Sequence, residues 1–435
     1  MTAVPEIQRV IQRLVNIRQG EGRAIAWSFI YFFSLLSSYY ILRPIRDEMG
    51  ITAGIENLHW LFTGTFIAML MVVPLFGYLT SRLQRRQFLP YVYYFFIINI
   101  LLFYLLFESE YSIIITARAF FIWISVFNLF VVSVFWSFMT DLFSSEQAKR
   151  LFGFIAAGGT IGAIAGPLLT TILVQQLGTS SMLLISVGLL GLSIVCIRQL
   201  SGWQYAQHDQ ETNQYQHEKP LGGGLLDGIR LVACSPYLLG ISLLMLLFTL
   251  LSTFLYFQQA QIVKETFTDS ETRTAVFAAI DFTVNTLTLI IQTLITARLV
   301  KGLGLGLTLA LIPLWLSLGF LLLGLFPILP VLIAVQVMRR AGNYAIMRPA
   351  REMLYVVLSR EEKYKAKNFI DTVVYRGGDA VSSWIYAGFK GIGFSLSTIA
   401  WIAVPISLIW AWIAYALGRK QEAIECQLTA QNEGD

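Results

Sequence analysis

The sequence predicts an all-α, polytopic membrane protein: twelve transmembrane helices in two pseudo-symmetric six-helix bundles. Three observations carry that expectation. Of the 435 residues 56% are hydrophobic and only 13% charged, against about 25% charged in a soluble domain, and the mean hydropathy is +0.66. The apolar excess falls in blocks of roughly twenty residues, the length that crosses a ~30 Å hydrocarbon core. Lys and Arg gather on alternate joints: with both termini cytoplasmic, the inner joints hold 24 of 31 basic residues and the outer joints 6. Without Arg339 and Arg340, which fall inside a span, the bias is still 22 against 6, so the positive-inside rule fixes the orientation.

The elements follow in order. The first 23 residues carry Arg9, Arg13, Arg18 and Arg23 but no apolar run. The apolar stretch after them is too long for a signal-peptide core and has no small-residue cleavage site, so it is expected to remain as the first span. The expected spans are 24–42, 58–80, 89–107, 112–138, 151–175 and 181–200, then 237–259, 275–297, 303–326, 328–348, 368–389 and 394–417. They divide into an N-terminal bundle (1–200), a polar cytoplasmic linker with a short amphipathic helix (201–232), a C-terminal bundle (233–418) and a cytoplasmic tail (419–435). His208 and His217 lie nine residues apart in the linker, and a solvated loop accounts for them better than a metal site. Cys196, Cys234 and Cys426 have no metal-site spacing, and reduced thiols are expected.

The two halves echo each other. SSEQAKRLFGFIAAGG (144–159) follows span four and SREEKYKAKNFIDTVVYRGG (359–378) follows span ten. Each runs from Ser and acidic residues through Ala-Lys and Phe to a Gly-Gly pair, the pattern of parallel repeats about an axis along the membrane normal. GGTIGAIAGP (158–167) spaces small residues so that helix backbones can approach closely.

Charge inside apolar spans marks the candidate site. Arg339 and Arg340 lie midway along span ten, and Arg376 and Asp379 midway along span eleven. Each Arg or Asp at a helix centre costs about 2.5–3.5 kcal/mol unless it pairs or faces water. Arg339, Arg340 and Asn343 form one patch, with Arg340, Tyr344 and Arg348 at helical spacing. Guanidinium forks suit phosphate or carboxylate; the alternative is a structural pair with Asp379 or Asp371. Asp371, Tyr375 and Asp379 share a face, and their charge either releases an arginine when substrate binds or simply neutralises it. Asp281, four residues before Asn285, is either a proton or cation site or a hydrogen-bonded structural Asp. Asn128 is mid-span, where an interhelical amide is the ordinary reading. Arg43, Arg46, Asp47 and Glu48 read as an outer vestibule or as a charged joint.

The loop GYLTSRLQRR (77–86) and the glycine stripe of span five resemble the loop and fifth-helix motifs of the major facilitator superfamily, with Ser81 where that loop carries an acidic residue. Three further stretches are similar to the ATP/ADP antiporters of plastids and intracellular bacteria. These are ILRPIRDE (41–48), RAGNYAIMRPAREM (340–353) and KYKAKNFID (363–371). The resemblance implies a divergent bacterial member in the inner membrane. Of the four charges on which that family's function rests, the basic one of the first helix falls on Arg46. The two acidic positions fall on Asn128 and Tyr256, and the basic position of helix eleven falls on Asp379, so ATP/ADP exchange is expected to be weak or absent.

No phosphate loop, HExxH or GxSxG is present, and GLGLG (302–306) opens a span without a preceding strand. The expectation is therefore a secondary transporter rather than an enzyme, with no cofactor, metal or nucleic-acid partner. It would be a monomer in the lipid bilayer, moving a small organic anion by alternating access, with nucleotides the class the resemblance implies. The alternative is a non-transport membrane scaffold or sensor on the same fold.

Overall fold

The computed structural model describes residues 21–82, 85–109, 112–208 and 225–434, and their regular structure is helical throughout. The helices are α1 (Gly22–Thr52), α2 (Leu58–Arg82), α3 (Arg85–Glu108), α4 (Ile113–Leu142), α5 (Ser145–His208), α6 (Leu225–Cys234) and α7 (Pro236–Thr266). They continue as α8 (Ser270–Leu294), α9 (Thr296–Leu325), α10 (Leu329–Gly342), α11 (Arg348–Met353), α12 (Arg360–Phe369), α13 (Tyr375–Gly391) and α14 (Leu396–Gly434). Two π turns interrupt the series, Asn343–Met347 between α10 and α11 and Ile370–Val374 between α12 and α13.

Among the described residues nine helices are long and apolar enough to cross a membrane. One of them, α5, bends at Gly178 (φ 77°) and covers spans five and six. Spans ten and eleven complete the expected twelve as α10–α11 and α12–α13, where buried charge and the π turns break up the apolar runs. The chain is thus an all-α polytopic membrane protein. The short amphipathic helix expected before Ser235 is α6, and α7 starts where Ser235 Oγ accepts from Leu238 N at 3.4 Å with Pro236 in the first turn.

Several details differ from the sequence reading. The first span does not stop at residue 42: α1 runs through Pro44 to Thr52, so Arg43, Arg46, Asp47 and Glu48 are helical. A charged run can stay in a membrane helix when its members are paired, and Arg43 and Glu48 are, as shown below. Residues 201–208 extend α5 rather than opening the linker. The face through Arg340, Tyr344 and Arg348 is broken by the first π turn, which leaves Arg340 buried and Arg348 exposed. The second π turn likewise separates Asp371 from Tyr375 and Asp379. The side chains of Ser81 and His208, together with His217, the first 20 residues and Asp435, lie outside the described residues.

The chain divides into two compact units, the first of Met1–Ala53, Ile67–Gln216 and Asp269–Phe282, the second of Gly54–Phe66, His217–Thr268 and Thr283–Asp435. In the first, the glycine stripe of α5 lies directly on α1. A methyl added at Gly158 would sit 2.6 Å from the Phe29 carbonyl oxygen, and one at Gly166 2.6 Å from that of Ser37. Hydroxyls fasten the contact: Ser37 Oγ donates to the Gly162 carbonyl at 3.3 Å, and the Ser38 and Ser186 hydroxyls are 2.6 Å apart. Close approach of small residues is how helices gain packing energy where lipid removes the hydrophobic drive. In the second unit Gly378 of α13 faces α7, and a methyl there would meet Thr249 Oγ1 at 2.5 Å.

Candidate functional site

Arg339 is the best-defined candidate. It lies in the last turn of α10 and is only 8% exposed. Its Nε and one NH2 group donate to Gln336 Oε1 at 3.1 and 3.0 Å, and its other terminal nitrogen donates to Ser252 Oγ on α7 at 2.8 Å. Gln336 in turn donates to Gln259 Oε1 of α7. Neutral amide and hydroxyl groups therefore hold a buried guanidinium at the junction of α10 and α7. Gln336 stands three residues before Arg339, on the same helical face. That spacing could have shown it, but the sequence reading passed over it.

Tyr375 connects this cluster to span eleven, lying within electrostatic reach of Asp379, Arg376, Tyr344 and Arg339. Arg376 and Asp379 approach to 3.9 Å as an i,i+3 pair. Arg340 is buried beside Arg339, and Asn343 and Tyr344 open the π turn half-buried. Tyr256, half-buried on α7, meets the Phe62 ring edge-on at 5.6 Å. Arg339, Tyr344, Arg376 and Asp379 thus share one neighbourhood in the second unit, centred on Tyr375. Asp371 does not join them: its partner is Arg351 at 3.6 Å. A cavity of about 450 Å3 between α7 and α13, lined by Leu246, Leu250, Val381 and Ile385, is apolar and contains none of the candidates.

The first unit holds the others. Arg46 lies over the Phe121 ring at 4.3 Å from its centroid, and Asn128, half-buried, is two turns further along α4. Asp281, 1% exposed, pairs with Arg43 at 3.6 Å. Glu48 is fully buried and accepts from Arg273 Nε at 2.8 Å and NH2 at 2.6 Å, with Ser270 Oγ at 3.2 Å. At this end of α1, Arg43 and Glu48 thus pair with Asp281 and Arg273 of α8. The sequence reading gave Arg273 no role, because a partner more than 200 positions away leaves no local pattern. At the start of α8, hydrogen bonds from the Thr272 hydroxyl and backbone N–H hold the exposed Asp269 carboxyl down at about 2.

The chain resembles known transport proteins at two levels. It is 30% identical over 89 residues to ADP,ATP carrier protein 2 of Chlamydia pneumoniae, a stretch covering 20% of this chain and 16% of that protein. The match therefore spans under a fifth of the curated relative's length. Among solved structures, the POT family transporter PepTSo superposes with a TM-score of 0.63 at 13% identity, covering 92% of this chain and 98% of that one. The nucleoside transporter NupG superposes at 0.60 and 14% identity, covering 94% and 99%. A bacterial homologue of the human lysosomal transporter Spinster also gives 0.60 at 14% identity, covering 94% and 99%. At such identities these likenesses speak for the fold alone. The family model described as Major Facilitator Superfamily matches residues 24–363, and with most of its length so matched the chain belongs to the major facilitator superfamily.

Proposed function

We propose that this protein is a secondary transporter of a small organic anion, working by alternating access, with phosphate-bearing compounds such as nucleotides as the leading substrate class. The observation that carries this reading is the buried Arg339 guanidinium, oriented by neutral Gln336 and Ser252 and close to Arg340, Tyr344 and Tyr375. A fork whose direction is fixed by amide and hydroxyl groups suits an incoming phosphate or carboxylate. Tyr256 and Asn343 complete the proposed contacts, and Asp379 offers a counter-charge that an anionic substrate displaces. In the first unit, Arg46 and Asn128 are the proposed counterparts. The short match to a carrier of ADP and ATP, and the nucleoside transporter among the structural neighbours, support the nucleotide class.

The test is uptake by proteoliposomes screened against nucleotides, sugar phosphates and dicarboxylates. An anion is expected to be taken up, and Arg339→Gln to abolish that uptake. Accumulation of neutral or cationic solutes alone overturns the reading. ATP exchange is expected to be weak, since the resemblance puts neutral Asn128 and Tyr256 at acidic positions of that family and Asp379 at a basic one; robust ATP uptake stimulated by internal ADP would contradict that.

A scaffold or sensor is the second reading, favoured by the sealed pairs Arg43–Asp281 and Arg273–Glu48. It predicts no uptake of any solute. We further propose two six-helix bundles, 1–200 and 233–418, with both termini and the linker between them cytoplasmic in an inner membrane. Reporter fusions after Asp435 and within 207–216 should both read cytoplasmic.

A further inference from the structure

The second unit holds a polar cluster apart from the anion site, around the Ile370–Val374 π turn. Arg351 of α11 is 9% exposed, and its hydrogen bonding is incomplete. One terminal nitrogen donates to the Met245 thioether at 2.8 Å, a weak acceptor. Its Nε has no partner among the described residues, nor does the hydroxyl of the fully buried Tyr355. The acid facing Arg351 is Asp371, at 3.6 Å, which is charge contact without a hydrogen bond. The Asp371 side chain is 36% exposed while Arg351 lies deeper. The acid is therefore the more accessible member of the pair.

We propose that Asp371 is a proton-binding site read by Arg351 and, on the reading that this chain is a transporter, the group through which transport is coupled to H+. Hydronium gives its proton to a carboxylate oxygen, an O–H bond forms, water leaves, and the pair goes from neutral to one net positive charge. Arg351 then loses its counter-charge in a buried setting where an unbalanced charge is costly. Its remaining neighbour of opposite sign is Glu352, which Lys367 already holds, so relief requires α11 to move relative to the π turn. A π turn carries one backbone register more than the α-helix around it, and such turns recur at functional sites. Here it sets Asp371 off the Tyr375–Asp379 face and towards α11.

Other groups face Asp371 from each neighbouring element. α11 presents Arg348, Arg351 and Glu352, and α12 presents Lys367. Tyr355, just beyond α11, faces both Asp371 and Tyr237 of α7. Glu352 is the rival proton acceptor, and it pairs directly with Lys367. Asp371, with a longer contact and no hydrogen bond from Arg351, is freer to change state.

The test needs no substrate. In purified protein reconstituted in lipid nanodiscs, infrared difference spectra between low and high pH report the C=O stretch of a protonated carboxylic acid. The expected result is a titrating band that Asp371→Asn removes and Glu352→Gln keeps. Arg351→Gln should move its midpoint upward by about one pH unit or more, because an opposite charge at this range favours the carboxylate. Should that variant not fold, Arg351→Lys keeps the charge and should hold the midpoint near its original value. No titrating band in the wild type, a band that survives Asp371→Asn, or a midpoint unmoved in Arg351→Gln overturns the proposal. Proteoliposomes with a trapped pH dye separate the two claims. A band assigned to Asp371 without proton flux under any imposed anion gradient leaves the proton site standing and removes the transport reading.

Discussion

Two regions with the same sequence plan have been put to different uses. The segments 144–159 and 359–378 both begin with a capping box. Ser144 and Gln147 exchange backbone-to-side-chain bonds at 3.0 and 3.3 Å, and Ser359 and Glu362 do so at 3.2 and 3.3 Å. Both end in a Gly-Gly pair: Gly158 and Gly159 press on α1, and Gly378 presses on α7, the helices that open the two halves. Between those points they diverge. The first segment passes through unbroken α-helix, whereas the second carries the π turn with Asp371. The preceding helices differ in the same way: α4 is continuous and carries Asn128, while α10 breaks into a π turn just after Arg339 and Arg340. The repeat preserves packing, and the departures from it coincide with buried charge. On the proposed reading, that coincidence sets the buried arginines and the proton site in the second unit.

The largest expected effect tests whether the first unit's charges are structural. Arg273→Ala leaves Glu48 fully buried without its bidentate partner, and breaking a buried pair this way typically costs about 3–5 kcal/mol. Converting both, Arg273→Met with Glu48→Gln, should recover most of that loss in thermal unfolding. If the single change is harmless, the pair is not structural and the contrast between the units weakens. In the second unit, Arg339→Ala removes the hydrogen bonds that the guanidinium gives to Gln336 and Ser252, both neutral groups. A smaller loss of stability, about 2 kcal/mol, should accompany complete loss of anion uptake. A stability effect as large as that of Arg273→Ala, with uptake retained, would reverse the assignment.

The glycine pairs sharpen the comparison at the level of packing. A methyl at Gly158 meets the fixed backbone oxygen of Phe29, whereas one at Gly378 meets only side-chain atoms, of Thr249 and Leu246. Gly158→Ala should therefore cost about 2–3 kcal/mol and Gly378→Ala about 1 kcal/mol, within the usual range for overpacking. Equal effects would mean that the α1–α5 contact is no tighter than that of α7 with α13.

The fold was legible because it rests on local signals. Apolar runs, alternating basic joints and the small-residue stripe at 158–166 are periodicities that one helix displays by itself. The buried arginines were legible for the same reason, as charge inside an apolar run. What escaped was whatever needed a distant partner or a change of helical register. Arg273 looked like an ordinary basic residue in an outer joint until Glu48 was beside it. Asp371, Tyr375 and Asp379 share a face at α-helical spacing, and the π turn that divides them has no composition of its own. The Arg-Pro-Ala-Arg run at 348–351 looks like a hinge, yet it supplies Arg351, the buried partner of Asp371.

The smallest expected effect addresses the repeat itself. If the two capping boxes are equivalent, Ser144→Ala and Ser359→Ala should destabilise the protein by similar amounts, about 1 kcal/mol each. Each change removes the hydroxyl that accepts from one N–H in the first turn, and Ser359→Ala also removes the hydroxyl that donates to the Glu362 carboxylate. The two should not have equal consequences for proton binding. Ser359 starts α12, the helix that carries Lys367 and leads directly into the π turn at Asp371. Fraying that start loosens the frame around Asp371, while fraying the start of α5 loosens only the α1–α5 contact. Thermal unfolding should therefore score the two variants alike, and the infrared titration should shift in Ser359→Ala alone. A shift in both, or in neither, would mean that the cap and the π turn are not mechanically connected, and that the second segment diverged from the first only around its charges.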